Sequence, residues 1–318
     1  MATSVTINTT YAGESAGKYI ASALLSANTI ENGGVTVMPN IKFRSTMKKA
    51  VLDELVVAGS CDFEPTGELI LTERILQPKE LQVNMQLCKQ DFRDDWDAIS
   101  MGYSVYDNLP PNFQEWLIAY VLGKVSAVNE TSLWNGVSTP LNGEYDGLLT
   151  QMSAGITAGD IPAGNVVTGV AITTGNVIAE LGKVVDAISN ANYGHEQLRI
   201  YVPQNVMRAY VRALGGFGSF LNGENNSGID TQGTMWYNNQ ALSFDGVPLF
   251  MANGLPKDKM VATTTDNLYF GTGVQNDANE VKLLDMSDLD GSQNVRVIVR
   301  YTAGANYGVG TDIITYGL

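Results

Sequence analysis

Residues 35–85 carry a two-residue alternation that is long for one domain and nearly half polar, and it constrains the fold more than any other stretch. Val35, Val37, Ile41, Phe43 and Met47 interleave with Thr36, Met38, Lys42, Arg44 and Thr46, and later Leu81, Val83, Met85 and Leu87 interleave with Gln82, Asn84, Gln86 and Cys88. That is the period of a pleated strand with one apolar face. Between the runs, residues 59–67 hold two glycines, a proline and an aspartate, which are turn residues. The pattern predicts an extended hairpin. Its outbound limb, about 25 residues at roughly 3.3 Å each, would reach on the order of 80 Å unbroken, or about half that with a bend. A two-stranded ribbon is marginally stable alone in water. The expected support is another copy of the same chain.

Composition fits a soluble, folded, intracellular chain. Of 318 residues, 44% are hydrophobic and 16% charged, and no apolar run approaches the length of a membrane span. The start shows no cationic stretch followed by an apolar core, so no secretory signal is expected. Cys61 and Cys88 could face each other across the hairpin, but two free thiols are the default in a reducing cytosol. The net charge of -14 argues against direct nucleic-acid binding, which rests on cations neutralising phosphates. An acidic protein can still enclose nucleic acid. The cations are uneven: Lys42, Arg44, Lys48, Lys49, Arg74, Lys79, Lys89 and Arg93 cluster in and around the hairpin, whereas residues 125–198 hold Lys183 alone. The hairpin could therefore dock on an acidic body by charge complementarity, or simply carry a solvated face of mixed charge.

Before the hairpin the chain reads as an arm with a weak helical pattern through Tyr19, Ile20, Ala23, Leu24 and Ala27. After a charged and aromatic stretch at 89–109, Pro110 and Pro111 break the chain. Asn112 with Glu115 then resembles a capping box, followed by Phe113, Trp116, Leu117, Tyr120, Val121, Val125 and Val128 at helical spacing. A helix of about 19 residues, near 28 Å, is expected. Residues 139–169, rich in Gly, Ala, Thr, Asn and Pro, read as loops and short strands between two modules. Thr174 is expected to cap a second helix with Val177, Ile178, Leu181, Val184, Val185 and Ile188 inward. A strand at 198–202 should run into Pro203 at a helix start, and that helix should end at Gly215–Gly216. Residues 216–240 read as a Gly-, Ser- and Asn-rich loop. Strand candidates follow at 247–252, 268–271, 281–286 and 295–301. No internal repeat is visible.

Catalytic and metal-binding patterns are thin. His195, the one histidine, sits in a Tyr-Gly-His-Glu turn and reads as a surface residue, and one His with two Cys makes no zinc site of ordinary ligand count. Asp285, Asp288, Asp290 and Gly291 fail calcium-loop spacing, because Met286 and Val297 would fall at ligand positions. No phosphate-binding loop or nucleophile elbow is present, and the Gly215–Gly218 run opens no helix. Carboxylate pairs such as Asp94 with Asp97 or Asp285 with Asp288 are what an acidic chain offers by chance. Trp116 and Tyr120 read as core residues rather than a ligand box.

The order of these parts resembles the major capsid proteins of tailed bacteriophages, the Hong Kong 97 fold. Residues 60–67 (Ser-Cys-Asp-Phe-Glu-Pro-Thr-Gly), with Leu71-Thr72-Glu73-Arg74, Pro78-Lys79-Glu80-Leu81 and Cys88-Lys89-Gln90-Asp91-Phe92-Arg93, look like one branch of that family. The resemblance in layout covers nearly the whole chain and implies an α+β fold. Its expected parts are an N-terminal arm (1–34), an extended β-hairpin E-loop with its base (35–88), a P-domain with a long spine helix (89–172), a mixed α/β A-domain (173–288) and a return strand to the P-domain (289–318). The loop at 216–240 would lie toward capsomer centres.

The resemblance further implies self-assembly through hexamers and pentamers into an icosahedral shell around double-stranded DNA, with no enzymatic activity, cofactor, metal or membrane. A separate scaffolding protein and a portal are the implied partners, and the virion is the implied location, after synthesis in the host bacterial cytoplasm. No residue can be assigned to the Lys–Asn crosslink that some members form, so its absence is expected. Lys48, Lys49, Asp62, Phe63, Glu64, Arg74 and Lys79 are the expected subunit contacts. Two other classes compete: a bacterial encapsulin-type nanocompartment shell and an acidic carbohydrate-active enzyme.

Overall fold

The computed structural model describes residues 27–41, 43–52, 56, 58, 69–88, 111–138, 145–215, 242–273, 280–287 and 291–318. The helical pattern beginning at Tyr19, the turn at 59–67, the charged stretch at 89–109 and the loop at 216–240 fall outside these residues. In chain order the elements are α1 (Asn28–Glu31), β1 (Thr36–Met38), β2 (Ser45–Leu52), β3 (Leu69–Leu76), β4 (Lys79–Cys88), α2 (Pro111–Asn135), α3 (Leu148–Ala158), β5 (Val166–Val167), α4 (Val177–Asp186), β6 (Leu198–Val202), α5 (Gln204–Gly215), β7 (Ser243–Phe244), β8 (Val247–Met251), β9 (Met260–Thr264), β10 (Leu268–Thr272), β11 (Glu280–Asp285), β12 (Asn294–Tyr307) and β13 (Ile314–Tyr316).

The long hairpin is shorter than its alternation implies. β2 pairs with β3, from Ser45 opposite Leu76 to Leu52 opposite Leu69. β1 instead lies parallel to β10, and β4 lies antiparallel to β12 along ten residue pairs. The reasons are local. Pro39 precedes Asn40, whose φ of 65° turns the chain, and the Asn40 and Ile41 amides bond to the Gly273 and Thr272 carbonyls. On the return limb Pro78 has no N–H to give a ladder. Alternation thus marked the less exposed face along β4 and left the partner strand open, and it failed at Val37 and Phe43, which are exposed.

The first sheet is ordered β1-β10-β12-β11, with β4 also on β12. Val295, Val297 and Val299 of β12 are buried beneath Leu117, Val121 and Val125 of α2, with Val83, Met85, Leu87 and Leu283 alongside. α2 is longer than expected. It begins at Pro111, a position suited to proline, and so takes Asn112 into the helix rather than at its cap. Its last turn adds fully buried Leu133 and Trp134. Tyr120 faces outward rather than into the core, and the side chain of Trp116 is outside the described set.

The second sheet is ordered β5-β13-β9-β6-β8-β7. One face packs on α4 and α5, through Leu181, Val184, Val206 and Tyr210 against Ile200, Val202, Met260 and Ala262. Its other face supplies Tyr201 and Val261 to a central core shared with Trp134, Leu148, Met152, Phe270 and Tyr307. This core joins the two sheets. The N-cap of α4 is Asn176 rather than Thr174, and its side chain makes no cap bond to the helix; Asn176 Oδ1 instead accepts from the Thr173 amide at 2.7 Å, and the Val177 amide bonds the Thr173 carbonyl at 3.1 Å.

Four elements depart from the sequence expectation. α3 stands where loops and short strands were expected; its buried stripe of Leu148, Leu149, Met152 and Gly155 has helical spacing, and Gly159 closes it in the left-handed region at φ 79°. β10 and β11, placed by sequence in the A-domain, belong to the sheet of the return strand β12. Conversely β13, placed with the return strand, lies between β5 and β9 in the second sheet.

Candidate subunit-contact site

The ribbon β2–β3 has a register that sets Lys48 opposite Glu73, Lys49 opposite Thr72 and Ala50 opposite Leu71. Such opposed charges favour cross-strand pairing. Three consecutive apolar side chains open β3, with Leu69 55% exposed, Ile70 48% and Leu71 65%. Successive strand residues point to opposite faces, so the ribbon shows apolar surface on both sides. Phe43, 70% exposed at its approach, adds to this. Alternation assigns apolar side chains to a buried face and so does not mark Leu69, Ile70 and Leu71 as exposed; the signal that does is their unbroken Leu-Ile-Leu run.

The expected contact residues do not gather at one place. Lys48 and Lys49 flank a cleft of about 200 Å³ under the ribbon, facing Asp266, Asp312 and Tyr269 of the body. Lys79 opens β4 and its Nζ donates to Ser138 Oγ, whose backbone amide in turn bonds Asp146 Oδ1 at 2.7 Å. Asp62, Phe63 and Glu64 lie outside the described residues. Arg74 turns inward and engages its own chain: its guanidinium meets Asp160 Oδ2 at 2.6 Å and stacks 3.7 Å over the Tyr307 ring. The Tyr307 hydroxyl donates to the same carboxylate oxygen at 3.0 Å, and Asn306 Nδ2 donates to the Ile75 carbonyl at 2.8 Å. Burial pushes the Tyr307 phenol up to about 12, so it remains a proton donor. Arg74, expected as a contact between subunits, thus has partners within its own chain.

The expected arm is also partly docked. Thr29 of α1 is fully buried; its hydroxyl and its amide both donate to the Glu130 carboxylate of α2, the amide at 3.3 Å. Gly254 donates to the same carboxylate at 3.3 Å, and Trp134 Nε1 donates to Thr29 Oγ1 at 3.1 Å. Asn28 brackets the neighbouring turn, donating to the Met251 carbonyl and accepting from the Asn253 amide at 3.1 Å. Burial raises the Glu130 carboxyl above the ordinary range, with the Thr29 hydroxyl and the two amides opposing the shift.

His195 lies exposed in its turn, its Nδ1 accepting from the Gln197 amide at 3.2 Å. Cys88 is a free, half-buried thiol. Among the described residues no group of His, Cys, Asp and Glu could hold a metal ion, and no helix is long and apolar enough to cross a membrane.

No protein-family model matches the chain, and neither does any curated protein. Solved structures do. The capsid of a native GTA particle is similar at 11% identity and a TM-score of 0.64, over 98% of this chain and 94% of that one. The capsid of cyanophage P-SCSP1u is similar at 12% identity and a TM-score of 0.55, over 97% and 91%. The procapsid of satellite phage P4, which includes the size determination (Sid) protein, is similar at 13% identity and a TM-score of 0.51, over 91% and 96%. The fold is therefore the Hong Kong 97 fold of phage capsids.

Proposed function

We propose that the chain is a major capsid protein: a structural subunit that closes through hexamers and pentamers into an icosahedral shell, enclosing double-stranded DNA without reading its sequence. The observation that carries this reading is the agreement of fold along nearly the entire chain with capsid subunits. The β2–β3 ribbon supports it independently. A two-stranded ribbon with apolar surface on both sides needs a covering partner. In a shell each ribbon lies over a neighbour, and every contact made renders the next effectively intramolecular. We propose the ribbon as the E-loop, α2 as the spine helix, the β12 sheet as the P-domain and the β6–β9 sheet with α4 and α5 as the A-domain. A separate scaffolding protein and a portal complete the proposed partners, and the virion, assembled in the host bacterial cytoplasm, is the proposed location.

The test is sedimentation and electron microscopy of the purified chain, alone and co-expressed with neighbouring phage genes. Uniform megadalton shells are expected, holding nuclease-protected DNA when packaging genes are present. Shells that hold an enzyme instead would move the reading to a nanocompartment. A persistent 34 kDa monomer under both conditions would overturn it.

A further inference from the structure

We propose that Arg74 is a positioning residue, which with Asp160 and Tyr307 sets the angle at which the β2–β3 ribbon leaves the body. Its meaning for assembly rests on the shell reading above, but its geometry stands in the single chain. The ribbon has a pivot: Leu76 is buried to 1% exposure near Gly271, and Asn306 holds the Ile75 carbonyl. Beyond the pivot, β3 is tied to the body by a side chain, and no such tie holds β2 among the described residues. On β3 the Arg74 guanidinium is pinned by the Asp160 carboxylate and the Tyr307 ring together. Under β2 the cleft of about 200 Å³ leaves the ribbon room to rock toward Asp266 and Asp312. Removing that tie would release the lever while its pivot holds.

The chemistry requires arginine. A planar guanidinium can stack on an aromatic ring and donate to a carboxylate at once, whereas an ammonium keeps the charge and loses the stack. Asp160 accepts from both Arg74 and the Tyr307 hydroxyl, so the three side chains fix one another. Two glycines leave the space: a Cβ on Gly155 would strike the Tyr307 hydroxyl, and one on Gly310 would strike the Asp160 carboxylate.

The experiment places spin labels at exposed Ala50 on the ribbon and Ala154 on α3, in the full chain with Cys61→Ser and Cys88→Ser, and measures their distance distribution by pulsed dipolar resonance. The parent should give one narrow peak. Arg74→Gln should broaden it by about a factor of two or more, as expected for a released lever, while the thermal midpoint of the body stays near the parent's; Arg74→Lys should fall between. Asp160→Asn, which keeps the shape and loses the charge, should broaden the peak too and serves if Arg74→Gln does not fold. A distribution of parental width in the folded variants would overturn the proposal. If the peak broadens but the parent forms no shells, the shell reading falls and the positioning role stands.

Discussion

The phenol of Tyr307 occupies the space that a side chain on Gly155 would need. Alanine there gains about 1 kcal/mol of helix propensity. It also collides with a fully buried ring that Arg74 and Asp160 hold in place, and such overpacking costs about 1–3 kcal/mol. The collision should win, so Gly155→Ala should lower the thermal midpoint of the isolated chain by several degrees. A raised midpoint would show that Tyr307 is free to move.

Glu130 should give a pH dependence of unusual sign. Burial raises its native pKa, so between the unfolded value and that raised value the native state holds more protons than the unfolded state. Stability from this group therefore falls as pH rises through that window and is level above it. Urea titrations from mildly acidic to neutral pH should show parent stability declining relative to Glu130→Gln as pH rises. The opposite trend would mean that the hydrogen bonds from Thr29 and Gly254 outweigh burial.

Leu69 and Leu71 should matter to assembly and hardly at all to folding. Changing both to serine removes apolar surface already in water, which shifts the stability of the isolated chain by about 0.5 kcal/mol or less. Shell formation, followed by sedimentation, should be lost. Shells of normal yield would remove the ribbon's apolar faces from the interface.

Leu76, on the same strand as Leu71, should behave in the reverse way. It is 1% exposed and packs with Ile41 over Gly271, so Leu76→Ala should cost about 2–5 kcal/mol by chemical denaturation. A loss under about 1 kcal/mol would place the pivot of the ribbon elsewhere.

Particular residues explain what was readable in the sequence. The apolar stripes of α4 and α5, with Pro203 at the start of the latter, announce themselves because each helix buries one face and wets the other. α3 does not, since its Gly, Ala, Ser and Thr carry no charge contrast and its helicity is fixed by packing against β12 and α2. β9, buried on both faces as Met-Val-Ala-Thr-Thr, has no polar alternation to betray it. β4 announces its strand character but not its partner, because Val83, Met85 and Leu87 would suit any apolar face. The surface proposed for assembly was legible in outline, through the unsupported ribbon. The intrachain partners of Arg74 were not legible because nothing in sequence places residue 160 or 307 beside it.

Both sheets are closed by strands that come late in the chain. β12 is the strand on which β4, β10 and β11 converge, and β13 is the link between β5 and β9. A ribosome has thus emitted the flanking strands of both modules before the strands that join them exist, and pairing so distant in sequence is slow to form. A product interrupted before Asn294 can still pair β6 with β8 and β9, but it has nothing to join β4, β10 and β11 to one another or β5 to β9. For the shell proposed above, this would act as proofreading at translation: a broken tile cannot finish its shape, and so is left out of the wall.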